Sequence, residues 1–575
     1  MDYTSGGTGS DLADGEMGVG RTLLRPLAFL AGLHAGRQAA AFLKANRNTR
    51  RCQDNLLMEL LRRHEGTAFG RDHGFDKLRS YEDFRSAVPV GSYDTHWPYV
   101  KRVLEGETAA LLPEGEQVLM FATTSGTTGR PKHIPVTRRF LADIRRGWNA
   151  WGRLVLGDHR ESWLRPVLQI SSPMNETASP RGIPCGAISG LLALTQKRIV
   201  RRMYVVPPGA SGITDPASRY YTILRCGVGR DVAFITTANP SSTIKLIETG
   251  QAHVERLIHD VADGTIRPPT PLDEGLRNAL RFKPNRDLAT RLEAGLKADG
   301  VLLPRHFWNV AFLANWTGGT LKLYLRRLRE LFGDVPIRDI GLLASEGRFC
   351  IPVADNTAAG IAEITSNFLE FIPAEEREKD TPPTLRADEV HAGQEYFLVI
   401  SNWAGLWRYN IDDRVRVVDR YGQSPVFEFL CRGLHTASIT GEKITEHQVV
   451  EAMRRAAANG TMERFVVQGR FARTPYYELR LEPAEGLDTD RLAARMDEAL
   501  AELNVEYRSK RLGERLGAIR ARLLPPGTLE KAEAERIRAR HGRGEQYKHQ
   551  YLLTDVISDE TKENAAKRQA DADSP

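Results

Sequence analysis

The chain has 575 residues, of which 41% are hydrophobic and 27% are charged, a composition typical of globular proteins with enough chain for a large core. The formal net charge is only +7, and no long basic run with interleaved aromatic residues occurs, so nucleic-acid binding is not predicted. The five cysteines include no Cys-x-x-Cys pair and indicate neither a disulfide framework nor a zinc ribbon, which favours a cytoplasmic location.

The two ends of the chain differ from the rest in composition. Residues 1–20 are rich in glycine, serine and aspartate, and residues 556–575 have few large apolar side chains, so both are predicted to be disordered. The apolar stretch at 27–43 is interrupted by His34, Arg37 and Gln38. It predicts an amphipathic helix, because it is too short and too polar for a membrane span and lacks a signal-peptide cleavage site.

A loop rich in hydroxyl groups and glycines lies between two strand-like runs at 118–122 and 134–136. Glycines let backbone amides approach an anion, and Lys132 adds charge at the end of the loop, so the pattern predicts a phosphate-binding loop. The alternative is an ordinary hairpin turn, which explains the Pro131-Lys132 end poorly. Because Pro131 precedes the lysine, the loop is not a Walker A motif. The loop residues predicted to bind nucleotide are Thr124, Ser125, Gly126, Thr127, Thr128 and Gly129.

Helix-like and strand-like runs alternate along the rest of the chain, which predicts α/β architecture. The clearest helix patterns are at 138–156, 321–331 and 529–540, and the clearest strand patterns are at 231–236 and 395–400. A polar, glycine-containing stretch at 431–433 predicts a boundary between a large N-terminal domain (21–430) and a smaller C-terminal domain (431–555).

Two later segments carry acidic residues in turn-like settings. The first, at 341–347, presents Ser345 and Glu346 after a strand, and its alternative interpretation is a solvated turn. The second, at 405–417, contains Asp413, and its alternative interpretation is an Asp-Asp turn that opens a strand.

Together with the phosphate loop, these segments resemble the adenylate-forming superfamily, and specifically the auxin-responsive (Gretchen Hagen three) acyl-acid amido synthetase family in its bacterial branch. The resemblance covers residues 45–550. It implies a large N-terminal α/β adenylation domain and a small mobile C-terminal α+β domain. Further matching segments are 84–90, 99–102, 371–373, 401–409 and 544–548.

The resemblance also implies residue roles. Glu346 would hold Mg²⁺, Asp413 would bind both ribose hydroxyls of ATP, and Ser345 would line the nucleotide site. Lys132 and Lys548 would contact the phosphates during catalysis, with Lys443 a competing candidate for the second lysine. Lys132 and Glu346 are expected to face solvent, so that replacing them leaves the fold intact.

One motif departs from the family pattern Tyr-Arg-x-Gly-Asp, because Asn410 and Asp412 replace the arginine and the glycine. The additional carboxylate predicts weaker ATP binding unless Arg414 or Arg416 compensates. Two tryptophans, Trp308 and Trp316, are candidates either for an acyl pocket that takes an aromatic acid or for the core.

The function implied by the resemblance is ATP-dependent adenylation of a small-molecule carboxylic acid, followed by acyl transfer to an amine, predicted to be an amino acid. The alternatives are transfer to coenzyme A as a thioester, or a non-catalytic nucleotide-binding protein on the same fold. A monomer that associates with no membrane is predicted.

Overall fold

The computed structural model describes residues 17–124, 132–170, 174–196, 198–433, 436–457, 465–482, 488–529, 531–532 and 551–558. The chain forms two compact units. The first contains described residues within 17–123, 133–318 and 324–429. The second contains residues 124, 132 and 319–323, together with the described residues from 430 onward.

The described residues include the following α-helices. In chain order they are α1 (Met17–Ala45), α2 (Thr49–His64), α3 (Ala68–Asp72), α4 (Tyr81–Ala87), α5 (Tyr93–Leu104), α6 (Arg138–Asp158), α7 (Ile188–Leu194), α8 (Arg198–Arg201), α9 (Pro216–Val228), α10 (Pro240–Ala252), α11 (Val254–Asp263), α12 (Glu274–Ala279), α13 (Arg286–Asp299), α14 (Leu325–Phe332), α15 (Glu446–Ala456), α16 (Thr489–Leu503) and α17 (Val505–Leu512).

The same residues contain twenty-three strands. They are β1 (Val118–Thr124), β2 (Lys132–Thr137), β3 (Val167–Gln169), β4 (Thr177–Ala178), β5 (Pro184–Gly186), β6 (Phe234–Thr237), β7 (Phe312–Asn315), β8 (Ile337–Asp339), β9 (Leu343–Ala344), β10 (Gly347–Arg348), β11 (Cys350–Ile351), β12 (Gly360–Ala362), β13 (Asn367–Pro373), β14 (Leu385–Arg386), β15 (Glu395–Asn402), β16 (Tyr409–Tyr421), β17 (Ser424–Arg432), β18 (Thr436–Ala437), β19 (Ile444–Thr445), β20 (Phe465–Phe471), β21 (Tyr476–Leu481), β22 (Arg520–Leu523) and β23 (Leu552–Ser558).

The first unit contains a four-stranded parallel sheet in the order β3-β6-β7-β8. Parallel neighbours need long crossover connections, and helices α7 to α14 lie in those connections. A second four-stranded sheet has the order β2-β1-β5-β4, so the two strands that flank the predicted phosphate loop are neighbours.

A seven-stranded sheet in the order β11-β12-β17-β16-β15-β13-β14 positions the candidate site. Its neighbouring strands β13 and β15 are buried almost throughout, which explains their nearly continuous apolar sequences. Gln53 of α2 fixes β13, because its Nε2 donates to the Asn367 carbonyl (2.9 Å) and its Oε1 accepts from the Leu369 amide (2.8 Å).

The second unit contains a four-stranded sheet in the order β22-β21-β20-β23. A tight turn before α15 is built around the buried Glu442, whose carboxylate accepts from the Tyr477 hydroxyl (2.6 Å) and from the Ile439 amide (2.8 Å). The carbonyl of Lys443 accepts from Asn504 Nδ2 (2.7 Å). The backbone around Lys443 therefore takes part in the packing of this unit.

The structure differs from the sequence-based expectations at several element boundaries. Helix α1 begins at Met17, inside the predicted disordered segment, and β23 extends to Ser558. A 3₁₀ turn at Gly319–Tyr324 replaces the first part of the helix expected at 321–331, and β17 continues through the polar stretch at 431–433 as far as Arg432. Most of the helix expected at 529–540 lies outside the described residues.

None of the helices in the described part of the chain has both the length and the apolar character needed to cross a membrane.

Candidate functional site

Two asparagine side chains connect the turn that carries Glu346 to the seven-stranded sheet. Strands β9 and β10 form an antiparallel hairpin, with Ser345 and Glu346 at its turn. Asn402 Nδ2 donates to the Glu346 carbonyl (2.7 Å) and to Asn367 Oδ1 (3.1 Å). Asn367 Nδ2 in turn donates to the Arg348 carbonyl (2.8 Å). The two asparagines are register partners on β13 and β15, so the sheet fixes the backbone on both sides of Gly347.

Glu346 and Lys132 are buried, which corrects the expectation that both face solvent. Glu346 is 1% exposed and Lys132, the first residue of β2, is 5% exposed. The interpretation of Glu346 as a solvated turn residue is therefore wrong. A buried carboxylate or ammonium group carries a desolvation cost that compensating interactions must offset.

Asp413 lies in an irregular part of β16. Register partners are Val399 with Asn410 and Phe397 with Arg414, so three residues of β16 lie opposite one residue of β15. Such a bulge redirects side chains within a strand. Asp413 is only 3% exposed. Its strand, β16, pairs with β15, whose last residue, Asn402, donates to the Glu346 carbonyl.

The residue before it, Asp412, has a φ of +65°, the left-handed conformation in which glycine has no steric cost. Aspartate tolerates this conformation better than most residues because its side chain bonds locally. The amide of Asp412 donates to Asn410 Oδ1 (2.9 Å), so the two residues that depart from the family pattern stabilise the bulge together.

The carboxylate of Asp412 is neutralised from another part of the chain. Arg377 donates to Asp412 Oδ1 from Nη2 (2.6 Å) and from Nε (3.1 Å). Arg414 and Arg416 instead pair with Glu395, at 2.5 and 2.6 Å, so neither compensates Asp412 as the sequence suggested.

The loop between β15 and β16 is fixed by a buried histidine. The amide of Trp407 donates to His96 Nε2 (3.0 Å), so Nε2 is unprotonated and Nδ1 carries the hydrogen that is donated to the Ser92 carbonyl (3.0 Å). Burial lowers the pKa of His96 to about 4, which keeps the ring neutral. Arg408, the residue after Trp407, forms a buried ion pair with Glu370 (2.9 Å).

The other predicted site residues are only partly described. Thr124 ends β1, and half-buried Ser345 lies at the hairpin turn. Trp308 is in the core, with its Nε1 donating to the Gly227 carbonyl (2.9 Å), and Trp316 stacks on Phe429. The predicted site residues that lie outside the described part of the chain are Ser125, Gly126, Thr127, Thr128, Gly129 and Lys548.

Sequence reasoning assigned no role to Asn367, Asn402, His96 or Arg377. Asn402 lies within the matching segment 401–409, which was the only available signal. The other three act through contacts with residues distant in sequence.

Within the described residues, no group of three or more histidine, cysteine, aspartate or glutamate side chains is placed to hold a metal ion.

Comparison with protein families matches nearly the whole chain to three models of one family. The GH3 family N-terminal domain matches residues 38–337, the central domain matches residues 361–432 and the C-terminal domain matches residues 447–556.

Curated relatives of similar length come from plants. A probable indole-3-acetic acid-amido synthetase GH3.2 from Oryza sativa subsp. japonica is 26% identical, with 83% of this chain and 84% of the relative covered. A jasmonoyl-L-amino acid synthetase GH3.5 from the same subspecies is 24% identical, with 85% and 90% covered.

Among solved structures, the AtGH3.15 acyl acid amido synthetase in complex with 2,4-DB matches with a TM-score of 0.63. It is 20% identical, with 92% of this chain and 95% of that chain covered. The predicted α/β fold is therefore confirmed, and it is shared with an acyl acid amido synthetase. With the three matching domain models, the chain belongs to the GH3 family.

Proposed function

We propose that this chain is an ATP-dependent acyl-acid amido synthetase, a ligase that adenylates a carboxylic acid and transfers the acyl group to the amine of an amino acid. The observation that carries the proposal is the placement of Glu346 and Asp413. The backbone of Glu346 is held by the last residue of β15, and Asp413 lies in the bulge of the adjacent β16.

The residues fit ATP with magnesium. Mg²⁺ is usually held by one or two carboxylates, with phosphate oxygens and water as its other ligands, and Glu346 supplies one buried carboxylate on a fixed turn. When bound with ATP, the ion supplies positive charge that offsets the charge on the phosphoryl oxygens. Asp413 has the acceptor oxygens needed to bind both ribose hydroxyls.

In the first step, a carboxylate oxygen of the acid attacks the α-phosphorus of ATP, and the bond to pyrophosphate breaks. Lys132 and Lys548 would stabilise the charge that develops on the phosphates. The hydroxyls of Ser125, Thr127 and Thr128 would orient the β- and γ-phosphates, with the glycines Gly126 and Gly129 allowing close backbone approach.

In the second step, the amine nitrogen attacks the acyl carbonyl, an amide bond forms, and AMP leaves with the electron pair of the broken bond. The amine loses one proton. A carboxylate alone resists this attack because its charge repels nucleophiles and its oxygen is a poor leaving group. Adenylation removes both obstacles.

Several finer assignments remain predictions. These are the cytoplasmic location, the monomeric state, the domain limits 21–430 and 431–555, and membership of a bacterial branch. The relatives named above are plant proteins, so the branch assignment has no support from them.

Product analysis tests the proposal and the acceptor together. Purified protein with Mg²⁺ and ATP is given aryl, indole and fatty carboxylic acids in parallel, each with a mixture of amino acids or with coenzyme A, and products are identified by mass spectrometry. We expect an amide and AMP that depend on both acid and amino acid. A thioester with no amide would contradict amide formation, and ATP binding without either product would support the non-catalytic alternative.

A further inference from the structure

The bulge in β16 places two acidic residues side by side at the proposed ribose position. Asp413 is the proposed ribose ligand, and Asp412 stands where the family pattern has glycine. A second carboxylate next to the site of a polyanionic nucleotide opposes binding, since like charges that lie close together in a partly buried setting repel strongly. The structure supplies a specific counterion for this second carboxylate.

Arg377 is held in place by more than Asp412. Its Nη1 donates to Glu378 Oε1 (2.9 Å), and its guanidinium lies 5.1 Å from the centre of the Phe397 ring. Burial opposes the charge of Arg377, yet the attraction of Asp412 raises the pKa of its guanidinium. Phe397 is the register partner of Arg414, directly beyond the bulge. Arg377 therefore packs on the strand opposite the bulge while its donors hold Asp412.

The contact also restrains the backbone. Asp412 is half-buried and adopts φ +65°, and its carboxylate accepts two hydrogen bonds from Arg377. The left-handed conformation costs free energy for a residue with a Cβ, so surrounding contacts must maintain it. Because Asp413 follows immediately, the conformation of Asp412 determines where the Asp413 carboxylate points.

We propose that Arg377 is a positioning residue for nucleotide binding, which neutralises Asp412 and maintains the bulge that presents Asp413 to the ribose of a nucleoside triphosphate. This inference rests on the proposed function. It assigns to the Arg377–Asp412 pair the role that glycine fulfils in the family pattern, where the turn needs no counterion.

A double-mutant cycle tests the proposal. ATP affinity is measured by calorimetric titration in the presence of Mg²⁺ for the wild type, Arg377→Met, Asp412→Gly and the double variant. We expect Arg377→Met to weaken ATP binding about tenfold, because it leaves the Asp412 carboxylate without its partner. Asp412→Gly alone should stay within about twofold of the wild type, and the double variant should regain that affinity.

Arg416→Met is the matched control, because Arg416 lies on β16, the strand that carries Asp412, and pairs with Glu395 and Glu428. Its affinity for ATP should not change. Arg377→Lys should bind better than Arg377→Met, since it keeps the charge. If Arg377→Met folds poorly, the double variant, which removes both charges of the pair, still decides the test.

Unchanged affinity in Arg377→Met, or a double variant as weak as Arg377→Met, would overturn the proposal while leaving the proposed function intact. A wild-type protein that binds no ATP would overturn both. The two failures are therefore distinguishable.

Discussion

Burial changes what substitutions at the candidate catalytic residues mean. Glu346 is 1% exposed and Lys132 is 5% exposed, so alanine at either position would leave a space in the packed interior as well as remove a charge. Isosteric replacements separate these effects. The carboxylate of Glu346 is best tested with glutamine, which keeps its shape.

Glu346→Gln should reduce adenylation at least about a hundredfold, because it removes the charge proposed to hold magnesium at the phosphates. The measurement is acid-dependent ATP–pyrophosphate exchange, with thermal unfolding recorded alongside. Glu114→Gln, at an exposed glutamate, is the matched control and should change neither quantity. Full exchange activity in Glu346→Gln would contradict the role assigned to Glu346.

Asn402 offers a test of positioning. Asn402→Asp keeps the size of the side chain but loses the Nδ2 donor that reaches the Glu346 carbonyl. We expect kcat for exchange to fall about tenfold or more, because a loosened turn misplaces the carboxylate, with a smaller change in the KM for ATP. Asn149→Asp, which removes a half-buried donor from α6 to Gln38, is the control. Equal effects of the two substitutions would argue against a positioning role.

Among the individual elements, helix α6 contains a glycine that leaves space for the buried side chain of Arg348. Thr137 caps its first turn by accepting from the Phe140 amide (3.2 Å). In its middle, a Cβ on Gly147 would lie 2.5 Å from Arg348 Cδ. Arg348 itself is 2% exposed, donates to the Ile340 carbonyl (2.8 Å) and lies 4.5 Å from the centre of the Trp148 ring. The glycine makes room for a buried side chain from the Glu346 hairpin.

Gly147→Ala should therefore destabilise the protein by about 1 to 3 kcal/mol through overpacking, despite the better helix propensity of alanine. Gly152→Ala is the matched control on the same helix, since nothing lies within 4 Å of its added methyl group. That substitution should stabilise the protein by about 0.5 to 1 kcal/mol. Chemical denaturation measures both changes, and a Gly147→Ala variant as stable as Gly152→Ala would contradict the close packing.

The elements that sequence predicted well are those defined by local patterns. Apolar runs predicted β1 and β15, and helical periodicity predicted α6. The bulge at Asp412 could not be predicted, because its stabilising partner is Arg377, 35 residues away. The Asn367–Asn402 pair similarly depends on the register of two strands. Burial of Glu346 also follows from tertiary packing and has no local signal.

For the molecule as a whole, the three matching domain models confirm the resemblance to the GH3 family, though not its bacterial branch. The amido synthetase relatives support the predicted ligase activity. The assignments of individual site residues remain predictions.

Two buried histidines make the stability of the first unit dependent on pH. Burial lowers the pKa of both His64 and His96 to about 4.

Acidification should destabilise the protein between about pH 6.5 and pH 4, because an unfolded histidine binds its proton near pH 6.5 whereas these two remain neutral when folded. Each histidine contributes up to about 3 kcal/mol to the free energy of unfolding. This contribution is present above pH 6.5 and lost by pH 4. Urea unfolding at a series of pH values measures this loss. His96→Gln should make the dependence shallower, whereas His259→Gln, at an exposed position, should not. An identical pH dependence in all three proteins would contradict this account.

ATP–pyrophosphate exchange is the first measurement to make, because it reports directly whether the chain activates a carboxylic acid by joining it to AMP. Purified wild-type protein with Mg²⁺ and labelled pyrophosphate is screened against aryl, indole and fatty acids. We predict exchange that requires a particular class of acid and falls at least about a hundredfold in Glu346→Gln. Absence of exchange with every acid, in protein shown to be folded and to bind ATP, would contradict this prediction.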